Sequence, residues 1–469
     1  MNSENAAGAA TDPAGTTRRK PRVIIVGGGF GGIEAARAIA RCDAEVVLID
    51  QRNHHLFQPL LYQVATAALS PADIAAPIRS VLRHQSNCTV VLARVTGVDP
   101  HARRVMFATG WIEYDWLVLA AGATHSYFAN PQWERLAPGL KTIDDATEIR
   151  RRILLAFERA EHEGSEAARK AALTFAIVGG GPTGVELAGA IKEIAAQTIP
   201  HDFRHIDTRT TRVMLLQSGD RVLASFPPDL SERAKRDLEA LGVEVRLGAR
   251  VTEITKYGVR FGEEFIPVRN VFWAAGVKAN PIGASLGVPL DRAGRVIVEP
   301  DLSVPGFPNV FVIGDMAAAT CAKTGKPIPG VAQAALQGGQ HAGRIIAREL
   351  SDPRHASRPR PAFVYKDKGN MATIGRSHAV ADINGRHLTG FLAWLLWCVV
   401  HVMFLVEFRN RAAVIMNWVW NWFVFARGAR LITGDARLEL EQVRPFEAVF
   451  YERPQPPADP SAASRSSSD

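Results

Sequence analysis

The sequence has 469 residues, of which 47% are hydrophobic and 22% charged, and its formal net charge is +8 at pH 7. This length allows about three domains, and the ordinary composition excludes general disorder. The modest positive charge suits an anionic membrane surface, a phosphate-bearing ligand or nucleic acid, and by itself it decides nothing; we expect no nucleic-acid partner. The four cysteines show no C-x-x-C pair or metal-ligand spacing, so a zinc site and a disulfide framework are not expected.

The first 21 residues are polar and contain no apolar segment of the kind that secretory signals require. The pair Arg18 and Arg19 suggests a twin-arginine export signal. However, the apolar run that follows this pair is better explained as the first strand of a nucleotide-binding fold. We therefore expect residues 1–21 to form a flexible arm.

A glycine-rich segment follows the strand-like run VIIV and precedes a helix-like run. In its G-x-G-x-x-G spacing, Gly27 permits a tight turn, Gly29 lets a pyrophosphate approach the backbone, and Gly32 lets the helix pack on the strand. The helix N-terminus then faces the phosphates with its N–H groups. Asp50 ends the next strand, where a carboxylate binds a ribose hydroxyl. A plain βαβ turn is the alternative, but the order of elements favours a dinucleotide site.

The next two segments have the composition of a cofactor pocket. Residues 53–82 are rich in aromatic and amide side chains and are expected to form a loop, then a short helix over 73–82. An ordinary packed connection is an equally good interpretation of this segment. The apolar strand within 116–124 ends in small residues, Ala121 and Gly122, which allow a flat cofactor to approach the end of a sheet.

The same pattern returns in the middle of the chain. A strand ending at residue 178 is followed by Gly179, Gly181 and Gly184 in G-x-G-x-x-G spacing, then by a helix and a second strand that ends before Gln217. Such an internal duplication predicts two dinucleotide sites. Two sites in one chain indicate transfer of electrons or hydride between two bound cofactors.

Gln217 stands where an NAD-selective site usually carries Asp or Glu. A carboxylate there binds the ribose 2′-hydroxyl and repels a 2′-phosphate, whereas glutamine keeps the hydrogen bond and removes the repulsion. We therefore expect NADH as the substrate and do not exclude NADPH. Either Arg212 or Arg221 is a possible partner for a phosphate, and the sequence places neither of them.

Later segments of the chain are expected to lie beside the first cofactor. Another strand ends in small residues at Gly276, and the strand in VFVIGDMAA ends at Gly314 and Asp315, where a carboxylate at a helix start would lie near ribityl or phosphate oxygens. Beyond it, Gln333 and Gln337 are four residues apart and share one face of a predicted helix. The alternative is a solvated pair of amides.

These segments together resemble the type II NADH:quinone oxidoreductases. The matching stretches are VIIVGGGFGG, HHLFQPLLYQVATAALSPADIAAPIR, LAAGATHSYF, IVGGGPTGVELAGA, VFVIGDMA, AQAALQG and YKDKGNMATIGRSHAV. The resemblance implies an α/β fold with two Rossmann-like dinucleotide-binding domains, as in the disulfide reductases, plus C-terminal amphipathic helices that anchor the protein to a membrane. Disulfide reductases of this fold need two cysteines after the first helix, and this chain has HHLFQPLLYQ there. Sulfide:quinone oxidoreductases also need redox cysteines, for which only Cys88 and Cys321 offer a possible pair.

The resemblance also implies the roles of individual residues. FAD would contact Gly27, Gly29, Phe30, Gly32, Asp50, Gln58, Gln63, Ala121, Gly122, Gly314 and Asp315. NADH would contact Gly179, Gly181, Gly184, Glu186, Gln217 and Gly276. The quinone site would include Gln333 and Gln337, and the catalytic candidates are Glu186 and Lys368. A carboxylate at Glu186 also has a structural explanation, because it stabilises the dipole in the first helical turn.

The predicted domains follow from these motifs. They are an N-terminal arm (1–21), an FAD-binding domain in two parts (22–135 and 285–385), a NAD(P)H-binding domain (136–284), membrane-anchoring helices (386–436) and a C-terminal segment (437–469), of which residues 453–469 are expected to be disordered.

Two apolar runs, 391–406 and 412–426, are the basis for the predicted anchor. Sixteen helical residues reach only about 24 Å, short of a hydrocarbon layer of roughly 30 Å, so we expect helices that lie in the interface. A buried hairpin or a dimer interface is the alternative. Five tryptophans suit the headgroup boundary, and nearby arginines suit anionic lipid: Trp394, Trp397, Trp418, Trp420, Trp422, Arg427 and Arg430. A peripheral location on the cytoplasmic face of the inner membrane and a possible homodimer are expected.

The mechanism implied by the resemblance passes hydride from NADH to the flavin and then two electrons to a membrane quinone, without proton pumping. One alternative is a soluble flavin reductase with a ferredoxin-like acceptor. Another is a redox-sensing protein that binds FAD and NAD(P)H without turnover.

Overall fold

The computed structural model describes residues 19–352, 354–355, 358–406, 408–424 and 428–433. Most of the arm predicted at 1–21 and all of the end predicted at 453–469 lie outside these ranges.

The first part of the chain alternates strands and short helices. Its strands are β1 (Arg22–Val26), β2 (Glu45–Asp50), β3 (His54–Leu56), β4 (Ala75–Pro77), β5 (Cys88–Leu92), β6 (Gly97–Asp99), β7 (Arg104–Phe107), β8 (Gly110–Glu113), β9 (Trp116–Leu119) and β10 (Ala123–His125). Its helices are α1 (Phe30–Ala38), α2 (Leu61–Ala65), α3 (Pro71–Ile74), α4 (Ile78–Val81) and α5 (Trp133–Leu136). The single helix predicted over 73–82 is wrong: β4 interrupts it, because Pro77 disfavours helical geometry in the residue before it.

The middle of the chain begins with two α-helices, and two further α-helices lie among the strands that follow. The helices are α6 (Ile143–His162), α7 (Glu166–Ala172), α8 (Pro182–Glu193) and α9 (Pro228–Ala240). The strands are β11 (Thr174–Val178), β12 (Arg212–Leu216), β13 (Val243–Arg246), β14 (Val251–Ile254), β15 (Gly258–Phe261), β16 (Glu264–Pro267), β17 (Asn270–Trp273) and β18 (Val277–Ala279). The start of α6 is fixed by a capping box, in which the Asp145 N–H donates to Thr142 Oγ1 at 3.0 Å and the Thr142 N–H donates to the Asp145 carboxylate at 2.9 Å.

The last part contains short strands and three longer helices. The strands are β19 (Val296–Ile297), β20 (Ser303–Val304), β21 (Phe307–Val312), β22 (Ala317–Ala318), β23 (Asn370–Gly375), β24 (His378–Ile383) and β25 (Arg386–Thr389). The helices are α10 (Ala332–Ser351), α11 (Gly390–Phe404) and α12 (Phe408–Val424).

Two parallel sheets form the centres of the fold. The first has the strand order β20-β21-β9-β1-β2-β5, in which only β20 is antiparallel to its neighbour. The second has the order β13-β12-β11-β17 and is entirely parallel. Their central strands are continuous apolar runs because helices cover both faces of such sheets. β21 returns to the first sheet from beyond residue 300, next to β9.

Close helix packing on the first sheet depends on glycine. A Cβ on Gly339 of α10 would lie 2.1 Å from the Gly31 carbonyl oxygen of α1, so the two helices could not approach with any side chain there. A glycine also allows close packing between the helix α8 and the C-terminal part of the chain. A Cβ on Gly189 of α8 would lie 1.7 Å from the Ile374 carbonyl oxygen of β23.

The helix α11 packs on the small sheet β23-β24-β25, and α12 contacts both α11 and α3. No helix in the described ranges has both the length and the apolar character needed to cross a membrane. Trp397 is only 1% exposed and stacks on His401 with 4.1 Å between ring centroids. The expectation that this tryptophan sits at a headgroup boundary is therefore wrong, because it fills the core beneath the helix pair. Trp420, in contrast, is 63% exposed.

Candidate functional site: two dinucleotide turns and the cavities beside them

The first glycine turn lies between β1 and α1. Gly27 has a φ of +107°, and a Cβ there would lie 2.4 Å from the Ala120 carbonyl oxygen. A Cβ on Gly32 would lie 1.8 Å from the Gly27 carbonyl oxygen, whereas a Cβ on Gly29 would meet no atom within 4 Å. Two glycines thus close the turn, and the third leaves open space at the N-terminus of α1. This cradle fits a pyrophosphate.

Asp50 holds this turn in place. One carboxylate oxygen accepts from the Gly28 N–H at 2.6 Å, and the other accepts from the Arg52 N–H at 2.7 Å. Each oxygen retains acceptor capacity for a ribose hydroxyl. Behind the turn, His55 is 3% exposed and its Nδ1 lies 3.2 Å from the Gly28 carbonyl oxygen. Burial lowers the pKa of His55 to about 4, so this imidazole is neutral in the folded protein at neutral pH.

The predicted residue Phe30 is the first residue of α1. Its ring meets His55 edge-on, with 5.0 Å between centroids, and also packs edge-on against Phe57. Gln58 Nε2 donates to the Lys141 carbonyl oxygen at 3.3 Å. These contacts link the first turn to the segment that follows β3 and to residues before α6.

A cavity of about 290 Å³ is lined by the predicted residues Gly314 and Asp315, which follow β21 of the first sheet. Gly314 has a φ of +64°, which the backbone requires at the end of β21. Lys141 also lines this cavity, with its Nζ 4.0 Å from the Asp315 carboxylate. Lys141 belongs to no sequence motif and is brought here by the tertiary fold alone.

The Ala121-Gly122 segment after β9 is fixed by Asn280. Its Nδ2 donates to the Ala121 carbonyl oxygen at 3.4 Å, and its backbone N–H donates to the Gly122 carbonyl oxygen at 3.0 Å. Gly122 has a φ of +68°. Asn280 lies 159 positions from Ala121 along the chain, so no local sequence pattern indicates this contact.

The second glycine turn repeats the first in detail. Gly179 has a φ of +111°, a Cβ on Gly184 would lie 1.9 Å from the Gly179 carbonyl oxygen, and a Cβ on Gly181 would meet no atom within 4 Å. A cleft of about 760 Å³ opens in front of this turn. Gly276 lies on its wall beside the 72% exposed ring of Phe128. The cleft is large enough for part of a dinucleotide.

Gln217 takes the place that Asp50 has in the first turn. Its Oε1 accepts from the Gly180 N–H at 2.9 Å. Arg212, one of the two arginines considered for a phosphate, pairs instead with Glu244 at 2.7 Å from the start of β12. The other, Arg221, donates to the Ala224 carbonyl oxygen at 3.0 Å. Arg250, which belongs to no sequence motif, lines the cleft.

Gln63 lies in a third cavity, of about 130 Å³, between α2, α8 and the C-terminal helices. Its Nε2 donates to the Tyr62 hydroxyl at 2.9 Å, and its Oε1 accepts from Trp418 Nε1 at 2.7 Å. The structure does not bring Gln63 to the first glycine turn. Its amide instead joins α2 to α12.

Glu186 lines the same cavity, together with Tyr62, Thr373 and Cys398. Burial raises the pKa of the Glu186 carboxyl well above 4.5, and a hydrogen bond from the Thr373 backbone opposes this only in part. Burial also raises the pKa of Tyr62. Burial in this cavity therefore favours the protonated carboxyl group of Glu186 and the protonated phenol of Tyr62, and both of these forms can donate hydrogen bonds.

The remaining predicted residues lie on or beside α10. Gln337 is bonded in both directions to the Lys366 backbone, with its Nε2 3.0 Å from the carbonyl oxygen and its Oε1 2.9 Å from the N–H. The side-chain amide of Gln333 makes no hydrogen bond with another described residue. The Lys368 ammonium lies over the Phe404 ring of α11, 5.4 Å from its centroid.

The four cysteines are all unpaired thiols. Burial raises the pKa of Cys88 to about 11. Cys321 lies elsewhere, and its thiol is directed to the Tyr365 carbonyl oxygen at 3.7 Å. The pair considered from the sequence therefore does not form, and no disulfide stands beside the first turn among the described residues.

Comparison with known proteins agrees with this geometry. Residues 21–339 match the pyridine nucleotide-disulphide oxidoreductase model, and residues 368–427 match the NDH2 C-terminal domain model. The type II NADH:quinone oxidoreductase Ndh of Mycobacterium tuberculosis is 44% identical over 93% of this chain and 96% of its own. An internal alternative NAD(P)H-ubiquinone oxidoreductase of Arabidopsis thaliana is 31% identical over 87% of this chain and 85% of its own. The structure of NDH2 from Plasmodium falciparum in complex with NADH has a TM-score of 0.78 at 20% identity and covers 89% of this chain and 100% of that one.

The two sheets and their paired glycine turns define a flavin-dependent pyridine nucleotide oxidoreductase. This confirms the predicted fold class. The identity to the mycobacterial enzyme across nearly the full length of both chains is more specific than the fold. The chain belongs to the type II NADH:quinone oxidoreductase family.

Proposed function

We propose that this enzyme transfers two electrons from NADH to a quinone in the overall reaction NADH + H⁺ + quinone → NAD⁺ + quinol. The observation that carries the proposal is the pair of glycine turns, alike in backbone geometry, that one chain presents on two parallel sheets. When bound, FAD supplies the redox chemistry by accepting a hydride at N5 and passing two electrons on. The protein's own residues bind, orient and shield the reacting groups.

The residues of the first sheet would hold FAD. The pyrophosphate would lie in the open space at Gly29, a ribose hydroxyl would bind Asp50, and the ribityl chain would lie near Asp315. The wider set that we propose around FAD is Gly27, Gly29, Phe30, Gly32, Asp50, Gln58, Ala121, Gly122, Gly314 and Asp315. We withdraw Gln63 from this set, because its amide is already bonded within the third cavity.

The residues of the second sheet would hold NADH. We propose that its pyrophosphate lies against Gly181 and its adenosine ribose against Gln217, with Gly179, Gly184 and Gly276 shaping the cleft. Glu186 is one turn further along α8 and faces the third cavity instead of the cleft. We therefore propose that it acts as a proton donor on the quinone side, consistent with its raised pKa.

The quinone would reach the flavin beside α10. Gln333 has an amide without a protein partner among the described residues, and we propose that it binds a quinone oxygen. Gln337 would act on the quinone site indirectly. Its amide makes two hydrogen bonds to the Lys366 backbone, and these hold in place the segment that carries Lys368. Lys368 contacts Phe404 and so connects this segment to α11.

We propose the same division of the chain as the motifs indicated. FAD would be bound by residues 22–135 and 285–385, NADH by 136–284, and the membrane by 386–436. Support comes from β20 and β21, which lie beyond residue 300 and join the sheet that carries the first glycine turn.

The exposed face of the C-terminal helices would dock on an anionic membrane surface from the cytoplasmic side of the inner membrane. Several large apolar side chains are exposed there at helical spacing: Leu392 (68%), Leu395 (46%), Val399 (49%) and Met403 (67%) on α11, and Ile415 (45%), Met416 (68%), Val419 (49%) and Phe423 (70%) on α12. Apolar faces of this extent on a soluble surface usually mark a membrane or protein contact. A homodimer through the same face is the competing arrangement.

Anaerobic stopped-flow absorbance tests the reaction. NADH should bleach the flavin band of the purified holoenzyme, and a soluble quinone analogue should restore it. If the band bleaches but no quinone restores it, the quinone proposal is refuted and a ferredoxin-like acceptor becomes the better choice. If NADH forms a stable complex with very slow bleaching, the protein is a redox sensor.

Vesicle flotation tests the docking surface. The enzyme should float with vesicles that contain phosphatidylglycerol, and replacing Leu395 and Val399 by serine should reduce flotation while the flavin is still bleached by NADH. Sedimentation velocity on the same samples detects a dimer. A dimer that the serine variant dissociates, with no flotation of the parent enzyme, would assign this face to self-association.

A further inference from the structure

The two glycine turns differ in one chemical respect. In the first turn the group that binds the backbone N–H is the carboxylate of Asp50, and in the second turn it is the amide of Gln217. The geometry is otherwise matched, because each oxygen accepts from the residue that follows the first glycine of its turn. The first site therefore carries a negative charge at the adenosine ribose position, and the second does not.

The Gln217 amide also offers a donor that a carboxylate lacks. Its Oε1 is bonded to the Gly180 N–H at 2.9 Å, while its Nε2 has no hydrogen-bond partner among the described residues. The Nε2 group lies close to Gly219, 3.0 Å from where a Cβ on that residue would be. An amide donor at this position attracts a phosphate oxygen, whereas an acid would repel it.

Arg250 is held next to Gln217 by the backbone. The Gln217 carbonyl oxygen accepts from the Ala249 N–H at 2.9 Å, and the Gly219 carbonyl oxygen accepts from the Gly248 N–H at 2.9 Å. These two bonds join the segment after β12 to the segment after β13. Arg250 is the next residue after Ala249. The two hydrogen bonds therefore fix the position of the Arg250 backbone relative to Gln217.

The charge of the cleft rests on Arg250 alone. Among the described residues that line the cleft, Arg250 is the sole charged side chain, and none is an acid. Arg250 is exposed and has no ion-pair partner in the described part of the chain. Asp220 follows Gln217 closely but is exposed and does not line the cleft. Arg221 is already bonded to the Ala224 carbonyl oxygen.

We infer that Arg250 and the Gln217 amide form a site for the 2′-phosphate of NADPH, so that the enzyme accepts both nicotinamide nucleotides. The inference rests on the proposed function, because it assigns the adenosine end of the nucleotide to this cleft. Arg250 is a specificity-determining residue in this scheme. It is not expected to affect the nicotinamide end, where the hydride leaves.

Equilibrium binding of NAD⁺ and NADP⁺ to the holoenzyme, measured by calorimetry, tests the assignment without turnover. The parent enzyme should bind NADP⁺ with an affinity within about tenfold of that for NAD⁺. Arg250→Ala should weaken NADP⁺ by about tenfold or more, as for loss of a charge-assisted hydrogen bond, and change NAD⁺ by less than about twofold. Gln217→Glu should weaken NADP⁺ to a similar extent and so lower the ratio of NADP⁺ affinity to NAD⁺ affinity, because the acid repels the 2′-phosphate.

Arg221→Ala is the matched control, because this arginine lies on the segment that contains Gln217 but does not line the cleft. It should leave both affinities unchanged. NADP⁺ binding by the parent enzyme should also decline more steeply with salt than NAD⁺ binding, and Arg250→Ala should remove the difference. The inference is overturned if Arg250→Ala weakens both nucleotides equally, if only Arg221→Ala weakens NADP⁺, or if the parent enzyme binds NAD⁺ but shows no NADP⁺ binding at millimolar concentration.

The two proposals fail in distinguishable ways. If NADP⁺ does not bind while NADH still bleaches the flavin and quinone restores it, only the phosphate site is wrong. If both nucleotides bind as expected while no quinone restores the flavin, the phosphate site stands and the quinone reaction is wrong.

Discussion

Replacing Gly29 by alanine should weaken FAD binding in an enzyme that remains folded. Gly29 has φ −75° and ψ −167°, which alanine adopts without strain, and its Cβ would meet no protein atom within 4 Å. The stability of the FAD-free protein should therefore be unchanged or raised by up to about 1 kcal/mol, since alanine restricts the unfolded chain. The added methyl group instead occupies the open space that we assign to the pyrophosphate. Loss of one hydrogen bond to a charged phosphate costs about 1.5–3 kcal/mol, which is roughly a 10- to 150-fold loss of affinity.

The assay has two parts and a matched variant. FAD affinity is measured by flavin fluorescence titration of the deflavinated protein, and folding by circular dichroism and thermal unfolding of the same samples. Gly32→Ala is the comparison, because its Cβ would lie 1.8 Å from the Gly27 carbonyl oxygen and should destabilise the protein itself by about 3 kcal/mol or more. If Gly29→Ala binds FAD with unchanged affinity, the phosphate does not lie against this residue and our placement of the cofactor is refuted.

Three further results are expected. Gly189→Ala, which would place a Cβ 1.7 Å from the Ile374 carbonyl oxygen, should separate α8 from β23 and make the C-terminal part sensitive to limited proteolysis; unchanged protection would contradict that packing. Because the pKa of Glu186 is raised in the fold, its contribution to stability is present below pH 4.5 and is lost as the pH rises through the folded pKa, so the stability of Glu186→Gln relative to the parent should rise with pH above 4.5 in urea titrations. His55 has a folded pKa of about 4, so the stability that its neutral ring contributes is present above pH 6.5 and should fall by up to about 3 kcal/mol as the pH drops towards 4, a loss that His55→Gln should lack.

Much of the nucleotide-binding architecture could be predicted from the sequence because its signals are local. The turns at Gly27 and Gly179 need positive φ angles, and Gly32 and Gly184 need the absence of a Cβ, so the glycine spacing alone identifies both turns. The apolar runs of β1 and β11 likewise predict buried parallel strands. Errors arose where a local signal competed with another: the helix predicted over 73–82 is split at β4 by Pro77.

The surroundings of individual side chains could not be predicted in the same way. Trp397 and Trp420 belong to two apolar runs that are close together in the sequence, yet one is 1% exposed and the other 63%. Which face of a helix is covered depends on what packs against it, and α11 has no clear polar face to indicate this. The partner of Gln63 could not be predicted for a related reason, since its amide is bonded to Trp418 of α12, which lies 355 positions away in the chain.

The sequence by itself determined that the chain has two dinucleotide turns, which residues close them, and that glutamine replaces an acid in the second. These properties depend on backbone conformation and residue type within a few positions. Only the tertiary structure decided that Arg250 lies beside Gln217, that Glu186 faces the third cavity, and that Asn280 fixes the strand end at Gly122. Each of these contacts joins segments distant in the chain, and such pairings are set by the packing of whole sheets and helices, which no local pattern records.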